Sequence, residues 1–174
     1  MSLESKQLRL FFALWPDEEV RQSLAMINHE LARCHHGKPI RPENLHLTLA
    51  FLGNVPEKSL DCLILMANAI AFKSFDLKLD HLDIFPHARV IWAGPENEPA
   101  ELLNLASDLH KGTLTCGIQL DPRPFKAHLT LMRKAKRLSE QKITPVTWSV
   151  HDFCLVSSVS NSDGVEYKVF HRWS

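Results

Sequence analysis

The chain has 174 residues, of which 45% are hydrophobic and 23% are charged, and its formal net charge is zero at neutral pH. This length and apolar content suffice for a hydrophobic core that needs no disulfide or metal to stabilise it. The neutral charge argues against a protein that binds nucleic acid through bulk charge. It leaves open a small ligand, or an RNA end that is bound by a few local charges.

The cysteine content and the N-terminal segment bear on the compartment. The four cysteines are far apart in sequence and include no C-x-x-C pair: Cys34, Cys62, Cys116 and Cys154. We therefore expect buried, reduced thiols rather than a zinc ribbon. The apolar run near the N-terminus is too short for a signal peptide or a membrane span. These features predict a soluble, cytoplasmic protein, which we expect to be a monomer with no contact to membranes.

The first half of the chain reads as strand, helix, strand, helix. Apolar, β-prone residues over 8–15 predict a mostly buried strand that Pro16 ends. Asp17 is placed to cap the next helix, whose apolar residues recur at spacings of three and four. A second strand is predicted over 45–52, closed by Gly53, and a second helix begins at Pro56.

The second half contains more strand signals. Strands are predicted over 75–85, 89–93 and 126–132, with a third helix from Pro99 and a closing hairpin of 146–156 and 165–170. Helices and strands mix without a strict βα rhythm, which favours an α+β fold with two largely antiparallel sheets. The order of elements is partly repeated, so we expect two halves with a cleft between them.

The tetrapeptide His-Leu-Thr-Leu occurs twice, at residues 46–49 and 128–131. Side chains alternate between the faces of a strand. The face of the first copy that carries the polar groups would hold His46, Thr48 and Ala50. The opposite, core-facing side would hold Leu45, Leu47, Leu49 and Phe51. In each copy the imidazole and the hydroxyl lie about 6.6 to 7 Å apart along the strand, so a tetrahedral anion can bridge them.

Two such faces suit acid–base chemistry on a phosphodiester. A single histidine in a strand is more often structural, but His46 with Thr48 and His128 with Thr130 suggest two half-sites that meet. An imidazole has an ordinary pKa of about 6.5, so one ring can accept a proton from water while the other donates to a leaving oxygen. The two hydroxyls would bind the non-bridging oxygens. This arrangement needs no metal and no other cofactor.

Arg133 is the best candidate for a cation that pairs with the phosphate. It opens the one dense basic run, residues 133–137, and a guanidinium can bind two oxygens at once. Strict alternation would place it on the leucine face, so reaching the site requires a bend or a strand end at Met132. Lys136 and Arg137 fit a solvated loop better.

These residues resemble a known family, the 2H phosphoesterases. The strings 44–53 and 123–131, which contain the two tetrapeptides, look like the two motifs of the bacterial RNA 2′,3′-cyclic phosphodiesterases, also called 2′-5′ RNA ligases. The segments 9–14 and 89–92 are also similar to that family, so the resemblance spans nearly the whole chain. Ala127 departs from the pattern, because the residue before the second histidine is often proline.

The resemblance implies a fold, an activity and residue roles. The fold would be bilobal, with pseudo-twofold symmetry, helices on the outside and an active cleft between the lobes of a single domain, residues 1–174. The activity would be metal-independent opening of a 2′,3′-cyclic phosphate on an RNA end to leave a 2′-phosphate. His46 would be the proton donor and His128 the proton acceptor, and Thr48, Thr130 and Arg133 would bind the substrate.

Some alternatives stay open at this stage. The chain could form or cleave 2′-5′ phosphodiester bonds, or hold a nucleotide phosphate without turnover. The segment Cys34, His35 and His36 could bind a metal, but it fits the end of a helix better. Phe12, Phe125 and Trp92 could stack on a base or belong to the core. From the neutral net charge we expect recognition of the terminal nucleotides only, and a shallow salt dependence would support this.

Overall fold

The computed structural model describes residues 6–162 and 164–174, and this part of the chain forms ten strands, three α-helices and two single-turn 3-10 helices. The strands are β1 (Gln7–Leu14), β2 (Lys38–Pro39), β3 (Leu47–Pro56), β4 (Phe75–Leu79), β5 (His81–Phe85), β6 (Val90–Gly94), β7 (Leu129–Arg133), β8 (Val146–Val150), β9 (Phe153–Asn161) and β10 (Gly164–Trp173). The α-helices are α1 (Glu18–Cys34), α2 (Leu60–Asn68) and α3 (Ala100–Thr115). Asp163, in the predicted turn over 161–164, lies outside the described residues, as do residues 1–5.

The strands form two antiparallel sheets of unequal size. The larger has eight strands in the order β10-β9-β1-β3-β7-β6-β5, with β2 also paired to β7, and the smaller consists of β4 and β8. The predicted α+β fold with antiparallel sheets is therefore confirmed. The motif strands β3 and β7 are neighbours at the centre of the larger sheet.

Three predicted strands have different bounds in the structure. The segment 75–85 divides into β4, which pairs with β8 in the smaller sheet, and β5, which pairs with β6 in the larger one. Between them the Asp80 carboxylate accepts a hydrogen bond from the backbone N–H of Glu96 (2.8 Å). The segment 146–156 likewise divides into β8 and β9. β3 continues past Gly53, whose φ of 72° is accessible to glycine at little cost, so the strand bends there instead of ending.

The helices cover one face of the larger sheet. Asp17 caps α1 as predicted, because its carboxylate accepts a hydrogen bond from the backbone N–H of Val20 (2.9 Å). α1 packs against β7 and β8, α3 packs against β3, and α2 packs against α3 and β10. The leucines of both motif strands join this core. No helix in the described part of the chain is long and apolar enough to cross a membrane.

The opposite face of the sheet carries a second, smaller apolar cluster. Along β1, Leu10, Phe12 and Leu14 belong to the main core, whereas Phe11 and Ala13 point the other way. Phe11 and Ala13 pack there with four further residues: Trp15, Cys154, Val156 and Tyr167. This second face is the one on which the motif histidines lie, since the rings of Phe11 and His46 are 5.0 Å apart.

The expectation of four reduced thiols was wrong for one pair. Cys62 on α2 and Cys116, directly after α3, form a disulfide with a Cα–Cα distance of 5.8 Å. Their separation of 54 residues in sequence concealed this, because α2 and α3 become neighbours only in the folded chain. The other two cysteines are free; Cys34 is exposed, and burial raises the pKa of the Cys154 thiol to about 12.

Candidate active site

The two motif strands meet at a symmetrical point. β3 and β7 are antiparallel, and the residue opposite Leu47 is Leu129. Each of these leucines directly follows its motif histidine. Extending this register by one residue in each direction places His46 beside Thr130, and Thr48 beside His128. The two half-sites are thus related by an approximate twofold axis between the two leucines.

Matching β-bulges occur at the last leucine of each tetrapeptide. In the pairing of β3 with β1, Leu49 has no opposite residue, and in the pairing of β7 with β6, Leu131 has none. Each bulged leucine is the third residue after its histidine. A bulge adds one residue to its strand and so reverses the alternation of side chains beyond it. The same irregularity therefore occurs at equivalent positions of both half-sites.

The bulges change which side chains face the site. Beyond Leu131, Arg133 lies on the same face as Thr130, so the bend that the sequence required occurs one residue before Met132. Beyond Leu49, the expected order was wrong: Ala50 is buried, whereas Phe51 is 50% exposed instead of lying in the core. Phe51 is thus the counterpart of Arg133, because each is the fifth residue after its histidine.

All five predicted site residues line one cavity of about 260 Å³, which we call the central cavity. His46 directly precedes β3 and Thr48 lies at its start; likewise His128 directly precedes β7, which contains Thr130 and Arg133. Other parts of its wall come from β2 with the segment after it, and from β10: Lys38, Pro39, Ile40, Arg41, Asn44, Gly164, Val165 and Tyr167.

Both imidazoles are oriented by the same backbone contact. Nδ1 of His46 donates a hydrogen bond to the carbonyl oxygen of Asn44, and Nδ1 of His128 donates to that of Lys126, both at 2.8 Å. A carbonyl oxygen can only accept, so Nδ1 carries the hydrogen in both rings. Nε2 of each ring is consequently left to exchange a proton.

The surroundings of the two rings differ. Trp15 stacks on His46 with ring centroids 5.1 Å apart and ring planes inclined by 3°. The rings of Phe11 and Tyr167 also contact the His46 ring, with centroid distances of 5.0 and 5.1 Å. Burial lowers the pKa of His46 to about 4, and the positive charge of Arg133 acts in the same direction. His46 is therefore neutral near pH 7 when no ligand is bound.

His128 is less enclosed. Phe85 contacts its ring edge-on at 5.1 Å, and Trp92 lies at 6.2 Å. Burial is again the main cause that lowers its pKa, and the charges of Arg133 and Lys126 add to it. Both histidines thus have pKa values below the ordinary 6.5. An anion in the central cavity would raise both, because it would offset the charge of Arg133.

Arg133 has no carboxylate partner among residues 6–162 and 164–174. It is exposed at the end of β7, and the positive φ of Lys134 (59°) ends the strand directly after it. Lys38 and Arg41 add two further cations to the wall of the cavity. A space of this size with three cations and two histidines fits a phosphate group.

Sequence reasoning missed four residues near the histidines. All four lie outside the tetrapeptides. Strand pairing brings Trp15 onto the His46 ring and brings Tyr167, Lys38 and Arg41 into the wall of the central cavity. Three aromatic residues could from the sequence either stack on a base or belong to the core. Of these, Phe12 and Trp92 are buried in the core, and Phe125 is partly buried against it.

The segment of Cys34, His35 and His36 shows no sign of a metal site. His35 serves the local structure, since its Nδ1 contacts the carbonyl oxygen of Leu31 and its Nε2 contacts the Ser139 hydroxyl. Within the described ranges, no group of three His, Cys, Asp or Glu side chains is placed to hold a metal.

Paired histidines, paired hydroxyls and a free arginine define a site of the two-histidine phosphoesterase type, and comparisons with known proteins agree. A family model described as LigT like Phosphoesterase matches residues 14–92, which include the first tetrapeptide. The RNA 2′,3′-cyclic phosphodiesterase of Escherichia coli is 33% identical over 172 residues, which cover 98% of each chain. That of Archaeoglobus fulgidus is 32% identical over 172 residues, covering 92% of this chain and 97% of the relative.

Solved structures show the same fold. The crystal structure of E. coli LigT complexed with 3′-AMP has a TM-score of 0.86 at 32% identity, and the match covers 97% of this chain and 98% of that one. The structure of TT0787 from Thermus thermophilus has a TM-score of 0.80 at 32% identity, with 96% and 97% covered. The chain belongs to the LigT-like phosphoesterases of the 2H superfamily.

Proposed function

We propose that this protein hydrolyses 2′,3′-cyclic phosphate ends of RNA to 2′-phosphates, without a metal or other cofactor. The observation that carries the proposal is the pair of His-x-Thr half-sites around one cavity, whose wall also includes Arg133, an arginine without a carboxylate partner among the described residues. The E. coli and A. fulgidus relatives that cover nearly the whole chain carry the same activity in their names.

The proposed reaction uses both histidines at once. Nε2 of His128 accepts a proton from water as the water oxygen bonds to phosphorus. The bond from phosphorus to the 3′ oxygen breaks, and Nε2 of His46 donates its proton to that oxygen. A 2′-phosphate and a free 3′-hydroxyl result, and solvent then returns both rings to their starting protonation. Because burial makes protonated His46 a strong acid, it gives up this proton readily.

The remaining site residues bind the charge that develops on the phosphate. Thr48 and Thr130 would each donate a hydrogen bond to a non-bridging oxygen, and Arg133 would bind these oxygens through its guanidinium. The five residues come from one chain, so the cavity needs no second copy. This supports our further proposals of one domain over residues 1–174 that acts as a monomer. The proposed RNA substrate is what supports a cytoplasmic location.

A product assay tests the function. EDTA-treated protein is incubated with an RNA that ends in 2′,3′-cyclic phosphate, and the ends are identified by chromatography. We expect 2′-phosphate ends at the same rate with and without EDTA. A 2′-5′ joined product would instead support ligation, binding without turnover would support a phosphate-binding module, and a 3′-phosphate product would contradict the proposed leaving group.

The lowered pKa values predict an acidic optimum for kcat/KM. The reaction needs protonated His46 and neutral His128. In the free enzyme a single proton lies mainly on His128, which has the higher pKa, so the reactive arrangement is a minor tautomer whose population follows the same pH dependence as the singly protonated form. Both histidines are protonated below about pH 4, the pKa of His46, and both are neutral above the pKa of His128, which lies below 6.5. We therefore expect kcat/KM of the free enzyme to peak between pH 4 and 6.5 and to fall as pH rises further.

This profile is measured with a nucleoside 2′,3′-cyclic phosphate at concentrations well below KM. The profile of kcat serves as an internal comparison, because the bound phosphate anion raises both pKa values and moves the optimum to higher pH. A value of kcat/KM that still rises through pH 8 would show that the histidines are not the titrating groups.

A further inference from the structure

A second, larger concavity opens beside the central cavity. This space, which we call the aromatic groove, has a volume of about 930 Å³, and its wall includes Phe51, Phe85, Phe125, Lys111, Arg123 and Lys126. It shares Thr48 and His128 with the central cavity, so the two spaces join at the candidate catalytic groups. Building on the proposed function, we infer that the aromatic groove binds the last two nucleosides of a single-stranded RNA 3′ end, with the penultimate base stacked on Phe51.

The volumes of the two spaces indicate which one fits the phosphate and which one fits the nucleosides. The central cavity of about 260 Å³ lies below the range of about 300–1,000 Å³ that is usual for small-molecule sites, whereas the groove of about 930 Å³ lies near its upper end. One nucleoside would leave much of the groove empty. The smaller space therefore fits the cyclic phosphate, and the larger has room for the bases on its 5′ side.

Phe51 is the most informative residue of the groove. It is 50% exposed, and it faces the groove because of the bulge at Leu49. The Arg9 guanidinium lies 5.2 Å from its ring centroid, which supports the ring by a cation–π contact and supplies a cation beside it. Exposed aromatic rings next to cations are how proteins bind unpaired bases.

The positions of the aromatic rings order the two nucleosides. Phe85 contacts the His128 ring at 5.1 Å and stacks on Trp92 at 5.2 Å, so it lies at the end of the groove nearest the reaction. Phe51 lies three residues beyond Thr48 along β3, farther from that point. The terminal base therefore belongs beside Phe85, and the penultimate base belongs on Phe51.

The charge of the groove matches a short anionic strand. Its cations Lys111, Arg123 and Lys126 face a single carboxylate, Asp121, which is paired to Arg123 at 2.8 Å. Lys111 and Lys126 form no ion pair among the described residues. On a chain of zero net charge this local excess suits one additional phosphodiester rather than a long track. An apolar peptide would fit the rings but would leave these cations without partners.

The inference is tested with a mononucleotide, a dinucleotide and a trinucleotide, each ending in 2′,3′-cyclic phosphate. For the wild type, we expect KM to fall by about 5- to 150-fold from the mononucleotide to the dinucleotide, the range for stacking one base, and to change little for the trinucleotide. The log–log salt slope of kcat/KM should steepen by about 0.7 for the added phosphate.

Three variants isolate the role of Phe51. Phe51→Ala should raise KM for the dinucleotide most of the way to the mononucleotide value, because only the contact of the added phosphate remains, while kcat stays unchanged. Phe51→Trp should keep KM for the dinucleotide low. Leu65→Ala is the matched control, since Leu65 is a large apolar residue that is 72% exposed on α2, outside the groove. Melting temperatures of all three variants verify folding.

The outcomes separate this inference from the proposed function. Hydrolysis of the mononucleotide by the wild type reports on the function alone. If the mononucleotide is hydrolysed but the dinucleotide has the same KM, or if Phe51→Ala affects both substrates equally, the groove does not bind the penultimate base. Tight binding of apolar peptides without any effect of RNA length would point to a protein partner instead.

Discussion

Alanine at either motif histidine is expected to lower kcat for cyclic phosphate hydrolysis by about 10²- to 10⁴-fold. In the proposed reaction, His46→Ala removes the proton for the leaving oxygen, and His128→Ala removes the group that accepts the proton from water. Since both transfers belong to one step, kcat of the double variant should be only slightly lower than kcat of the slower single variant. Initial rates at saturating substrate measure these losses.

Two controls give this result its meaning. His151→Ala alters an exposed histidine outside the cavity and should leave the rate unchanged. Thermal melting establishes that the His46 variant is folded, which matters because three aromatic rings pack on that imidazole. A folded His46→Ala or His128→Ala protein with more than a tenth of the wild-type rate would exclude that ring from proton transfer.

The pairing of the half-sites could be predicted from the sequence. Alternation in a strand was enough to put His46 and Thr48 on one face with leucines behind them, and the repeat indicated a second such strand. The residue types then limited the chemistry to proton transfer at an anion. The structure places these groups around one cavity, as expected, because β3 and β7 are neighbours through Leu47 and Leu129.

The orientation of the side chains beyond each tetrapeptide could not be predicted from the sequence. A bulge depends on how a strand pairs with its neighbour, and local alternation contains no information about it. For this reason Phe51 was assigned to the core and the route of Arg133 to the site stayed unexplained. The same limit applies to Trp15, which reaches His46 through the pairing of β1 with β3, and to Tyr167, which reaches it through the pairing of β10 with β9 and of β9 with β1.

The two half-sites are alike up to the bulge and differ after it. The first continues with Phe51, which opens the aromatic groove, and the second continues with Arg133, which faces the central cavity. The rings differ as well, because His46 is more enclosed than His128. A nearly symmetrical scaffold thereby gains a direction, because Phe51 lines only the aromatic groove and Arg133 lines only the central cavity.

Replacing Arg133 with alanine should be the next most damaging change, and we expect kcat to fall by about 10²- to 10³-fold, as for other donors to a developing oxyanion. Arg133→Lys keeps the charge but loses the two-pronged contact, so its rate should lie between those of the wild type and the alanine variant. Arg137→Ala is the matched control, since Arg137 is an exposed arginine of the same basic run and should have no effect.

The pH profile distinguishes this role from a structural one. The charge of Arg133 helps to lower the pKa of both His46 and His128, so its removal should raise both values. The optimum of kcat/KM should therefore move to higher pH in Arg133→Ala, stay near the wild-type position in Arg133→Lys, and not move in Arg137→Ala. If the rate falls while the optimum stays fixed in Arg133→Ala, the guanidinium supports the fold of β7 rather than the charge of the cavity.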